Sequence, residues 1–193
     1  MSVVMNSAVT EQRKKIHPHK FTMWVAIASI IMMFAGLTSA YIVKRDQPGW
    51  TSFTMPMLFW YSTAVLVVSS LTIQLSLKYF KERAMLKYRR MLTVTFLLGV
   101  LFIVMQILGF KQLWNTGIQL NGSGAGQFMY IIFGLHAIHV LGGVITLLVL
   151  FLKGMSRSTI KSYNAVPIEV ASTYWHFVDI LWVYLFIFFI WIH

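Results

Sequence analysis

The sequence predicts an all-α integral membrane protein: a bundle of five transmembrane helices, N-terminus cytoplasmic and C-terminus periplasmic. Three observations predict it. Of the 193 residues, 58% are hydrophobic and only 11% are charged, where a soluble domain carries about 25% charged residues. Five apolar runs follow one another, each at least as long as the ~20 residues a spanning helix needs. The basic residues then fall on alternating sides of those runs.

Residues 1–20 form a polar, basic tail, and residues 21–193 form one five-helix membrane domain. The helices are expected at about 21–43, 53–78, 91–111, 126–152 and 168–192. The tail carries Arg13, Lys14, Lys15 and Lys20, the segment after the second run carries Lys78 to Arg90, and the segment after the fourth carries Lys153, Arg157 and Lys161. Those sides together hold thirteen Lys and Arg, against Lys44, Arg45 and Lys111 on the other. The positive-inside bias therefore places the N-terminus in the cytoplasm. It also explains the net charge of +11 without a nucleic-acid partner. The long first apolar run is not a signal-peptide pattern.

There is no cysteine. Disulfides, thiolate metal sites, iron–sulfur clusters and covalent haem attachment are thereby excluded. His17-Pro18-His19 in the tail and the glycines of 115–126 read as incidental and as a flexible turn. In the first helix Ser29, Gly36 and Ala40 share a stripe of small residues, the spacing that lets helices approach closely in lipid.

The chemistry concentrates in the fourth and fifth runs. On a helical wheel Glu169, Ser172, Thr173, His176 and Asp179 share an arc of roughly 120°. Asp179 lies about 15 Å along the axis from Glu169, near the middle of the bilayer, where an unpaired carboxylate is expensive. In the fourth run His136, His139 and Gly143 share one face. By depth, His136 and His139 lie about 15–20 Å below the outer surface and Asp179 about 21 Å, so an imidazole–carboxylate pairing is expected. A structural polar core, a proton site and a metal or haem site are all open on residues alone. No nucleophile triad and no paired catalytic carboxylates are present.

The same residues carry a resemblance. The run EVASTYWHFVDILWVYLF is similar to the final helix of subunit III of the haem–copper terminal oxidases, matching at Glu169, Tyr174, Trp175, His176, Phe177, Val178, Asp179 and Trp182. The fourth run resembles that family at Gly134, His136, His139, Val140 and Gly143, and the third at Leu98, Gly99, Phe102 and Gln106. The second resembles it at Thr63, Leu66, Ser69, Ser70 and Thr72, and the first in the run MMFAGLTSAY. The chain looks like the short bacterial form, which lacks the first two of seven helices. Two family carboxylates are missing: Ile30 and Gly109 stand where glutamates are usual, and Ser62 replaces an asparagine.

The resemblance implies an accessory, non-redox subunit of a proton-pumping oxidase in the bacterial cytoplasmic membrane, with no catalytic residue and no metal in this chain. Haem and copper are expected in partner subunits. The implied partners are the catalytic subunit I, subunit II and phospholipid, with room for a larger respiratory supercomplex. Expected for the polar core are His136, His139, Glu169, His176 and Asp179, and for helix packing Gly36, Ala40, Gly99, Gly134 and Gly143. Two other classes stay open on residues alone: a haem-bearing anchor using His136 or His139 with His176, and a small transporter with Asp179 as proton site.

Overall fold

The computed structural model describes residues 18–45, 55–115, 124–156 and 165–192. The tail, the glycine-bearing segment between the third and fourth helices, and Arg157 and Lys161 lie mainly or wholly outside those residues. Five helices follow in order: α1 Pro18–Arg45, α2 Met57–Lys81, α3 Met85–Asn115, α4 Gly124–Ser156 and α5 Val166–Trp191. All five are long and apolar enough to cross a membrane. The helices α1, α3, α4 and α5 begin a few residues before the apolar runs, because a helix continues through the polar interface where hydropathy falls away.

The outward surface is apolar: Phe21, Trp24, Met32, Leu71, Leu97, Ile107, Ile138, Ile180 and Ile187 are all exposed. Lipid gives no reward for burying a leucine. The bundle must therefore be held by close packing and by hydrogen bonds between helices. Serine and threonine hydroxyls return to carbonyls of their own helix, as at Thr38, Ser62, Thr63 and Thr95, so that few polar groups face hydrocarbon.

The closest pair is the α2–α3 hairpin. Its turn is short. Arg83 sits in the left-handed region at φ 60°, and the amides of Glu82, Arg83 and Ala84 cap the last carbonyls of α2. The buried positions of α2 are Phe59, Ser62, Leu66, Ser69, Ile73, Ser76 and Phe80. Those of α3 are Tyr88, Leu92, Thr95, Gly99, Phe102, Gln106, Gly109 and Leu113. Both series alternate steps of three and four, the seam of a left-handed supercoil. Ser62 and Ser69 are small residues on this seam, and Gly109 leaves room for the Phe59 ring. Thr72 meets Thr95 at 2.9 Å and Gln106 donates to Ser62 at 3.0 Å across the seam.

The centre of the bundle is α5, which packs against α1, α2 and α4. Half of its membrane window is buried, against 22–28% for the other helices. Pro167 sits in the first turn of α5, where no backbone donor is missed. Towards its C-terminal end α5 meets an aromatic cluster: Trp182 lies 5.4 Å from Phe102 and from Phe133, and Phe133 lies 4.9 Å from Phe189.

Two packing expectations differ in outcome. Gly99 and Gly143 are contact glycines: an added Cβ would stand 2.9 Å and 3.0 Å from the Trp175 ring. Gly36 and Gly134 are not, since nothing of this chain lies within 4 Å of an added Cβ at either position. Ser29 and Gly36 of the small-residue stripe of α1 are exposed, whereas Ala40 is half-buried.

Candidate functional site

The Trp175 indole ring leaves α5 and passes between Gly99 of α3 and Gly143 of α4, and its Nε1 donates to Ser69 of α2 at 3.1 Å. One side chain thus touches three neighbouring helices. This clamp sets the height and rotation of α5, and with them the polar side chains around it.

Those side chains meet α2. Trp182 Nε1 donates to Thr63 at 3.0 Å. His176 Nδ1 lies 2.6 Å from the Ser70 hydroxyl, and its Nε2 lies 3.1 Å from Gln74 Oε1. The Gln74 oxygen can only accept, so Nε2 carries a proton. In the neutral ring Nδ1 then accepts from Ser70. Asp179 is buried beside the same hydroxyl. As the α5 partner advances from His176 to Trp182, the α2 partner retreats from Gln74 to Thr63, as antiparallel helices require.

Nearer the basic end of the bundle, Glu169 receives Lys20 of α1 at 2.7 Å and Lys81 of α2 at 2.9 Å. A cleft of about 380 Å³ opens here, lined by Lys20, Met23, Gln74, Glu169, Thr173 and His176. It leads from the ion pairs to the exposed edge of the imidazole.

The expected pairing of Asp179 with His136 or His139 is not observed. Among the described residues no ion pair joins Asp179 to a histidine. The carboxyl group faces α2, not α4. His139 turns its Nδ1 back to the Leu135 carbonyl at 2.7 Å, and the His139 carbonyl accepts from Tyr174 at 3.0 Å. His136 is buried between Phe34 and Trp182, with neither ring nitrogen hydrogen-bonded. The five expected residues therefore do not form one cluster: Glu169 with its lysines shares a cleft with His176, His176 and Asp179 face α2, and the α4 histidines lie on their own side. Sequence reading missed the α2 partners as partners. Thr63, Ser69 and Ser70 were matched only by resemblance, and Gln74 was not singled out. The signal available was a cluster of hydroxyl and amide groups on one apolar helix, which lipid would not tolerate unpaired.

A family model described as cytochrome c oxidase subunit III matches residues 10–193. The chain belongs to the cytochrome c oxidase subunit III family. Relatives include a probable cytochrome c oxidase subunit 3 of Mycobacterium tuberculosis (strain ATCC 25618 / H37Rv), 34% identical over 84% of this chain and 82% of the relative. The cytochrome c oxidase subunit 3 of Bacillus sp. (strain PS3) is 31% identical over 84% of this chain and 80% of its own length. That of Corynebacterium diphtheriae (strain ATCC 700971 / NCTC 13129 / Biotype gravis) is 32% identical over 84% and 82%.

Within this subunit III chain, the two departures from the resembled pattern have a local setting. Beside Gly109, an added Cβ would stand 3.1 Å from the Phe59 ring. That ring packs against Phe110, Phe133 and Trp182. A glutamate at 109 would thus require the aromatic cluster to be rebuilt. Ile30 is half-buried and packs on the apolar core.

Proposed function

We propose that this chain is a non-redox accessory subunit of a proton-pumping haem–copper terminal oxidase in a bacterial cytoplasmic membrane. It packs beside the catalytic subunit I and subunit II, binds phospholipid and supports proton uptake and durable turnover. One observation carries the reading. Two ionisable groups of α5 are spent on holding helices: His176 has both nitrogens on α2, and Glu169 is held by two lysines. The cleft above Glu169 suits a phospholipid headgroup, with Lys20 as the phosphate partner and apolar Met23 and Leu77 for the start of the chains. In this reading the basic end faces the cytoplasm. The engaged nitrogens of His176 favour this role over an axial haem ligand shared with the α4 histidines.

The test is removal of the subunit from the purified oxidase. Electron transfer to oxygen should persist at first and then decay faster during turnover. Immediate loss of a haem spectrum would contradict the proposal.

A further inference from the structure

A second cavity lies between α3, α4 and α5, away from the lysines. It measures about 210 Å³ and is walled by Phe102, Phe110, Phe133 and Trp182. Two buried polar side chains line it, Gln106 and His136. Gln106 Nε2 donates to Ser62, whose own proton goes to the Phe59 carbonyl. Ser62 can therefore only accept from the amide, which fixes its orientation and leaves Gln106 Oε1 without a partner. Neither nitrogen of His136 has a partner either. The Trp182 N–H cannot serve them, since it is given to Thr63. The cavity edge carries Ile107 and Leu141, both exposed on the outer face of the bundle.

We propose that this cavity binds an uncharged aromatic alcohol, a phenol-class ring that enters from the lipid. Its hydroxyl would donate to Gln106 Oε1 and accept from the imidazole N–H, or else donate to the unprotonated nitrogen of His136. The aromatic walls suit a flat ring by stacked and edge contacts. A dry cavity of about 150 Å³ already admits benzene, so the space is sufficient. No charged side chain lines the site, and a charged ligand would lack the partner its desolvation demands. A plain acyl chain would leave all three polar atoms unpaired.

The experiment uses the intact oxidase complex in native membranes, photolysed with 4-azidophenol or with azidobenzene, followed by peptide mass spectrometry. The phenol should mark the stretches 102–110 and 133–141 in preference to the rest of the chain. His136→Leu and Gln106→Leu should each weaken that labelling about fivefold to tenfold, the effect of one hydrogen bond. Azidobenzene should label less and respond to neither substitution. His136→Leu removes unpaired polar atoms, so it should still assemble, and subunit retention on a native gel is the control. The two probes compared in wild type decide the matter even without variants. Equal labelling by both would overturn the proposal, leaving an apolar or merely hydrated cavity. Absence of labelling in the wild-type complex would also overturn it, because the cavity would then be filled by a neighbouring subunit.

Discussion

His176 and His136 are the same side chain in two opposite settings. The α5 imidazole has a partner on each nitrogen and sits at the head of a cleft that Lys20 and Glu169 also line. The α4 imidazole has no partner on either nitrogen and sits among aromatic rings. Removing one partner of a buried hydrogen bond costs more than the bond contributes, because the other partner is stranded. His176 is half-buried and bonded to α2 through Ser70, so its loss should weaken that seam, whereas His136 in its pocket has no hydrogen bond to lose. A polar group in a membrane protein is evidence of a structural bond only where its partners can be named.

The largest effect expected is at the clamp. Trp175→Ala removes the ring that meets α3 and α4 and the donor to Ser69, and should destabilise the bundle by about 3–5 kcal/mol. Gly99→Ala, which presses a methyl into the same ring, should cost about 1–3 kcal/mol. Thermal unfolding of the detergent-solubilised subunit ranks both against wild type. A Trp175→Ala protein as stable as wild type would dissolve the contrast between a held seam and a loose pocket.

Next comes His176→Leu, which takes the acceptor from the half-buried Ser70 hydroxyl and removes an exposed contact to Gln74, and should cost about 0.5–1.5 kcal/mol. Asp179→Leu sharpens the comparison. Ser70 keeps its bond to His176 and an unpartnered carboxyl oxygen is removed, so the cost should stay below about 1 kcal/mol. Had the acid been paired with an imidazole, about 3–5 kcal/mol would be lost instead. The smallest effect is Glu169→Gln. Its lysine contacts are partly exposed, so the change should stay under about 1 kcal/mol and shrink as salt is raised. Unfolding midpoints at low and high salt would check it.

The five helices were legible because twenty apolar residues in a row have few other uses. The level of each polar group along the axis was also legible: depth alone put His136, His139 and Asp179 within reach of one another. Their rotation was not. A helix in lipid is apolar outside as well as inside, so exposed Leu71 and Leu97 carry the same signal as buried Leu66 and Leu92. The heptad seam of α2 and α3 is hidden for that reason. Asp179 consequently turned to Ser70 on α2, and no count of residues along α4 and α5 separates the two choices. The same ambiguity sent Gly36 and Gly134 to the outside while Gly99 and Gly143 received Trp175.

The most direct test sets His136→Leu beside His176→Leu in the intact oxidase, measuring how much subunit III remains bound after detergent extraction. His136→Leu should retain the subunit as well as wild type or better, and His176→Leu should lose a substantial part of it. Loss from the His136→Leu complex with full retention in His176→Leu would contradict the division between the two histidines.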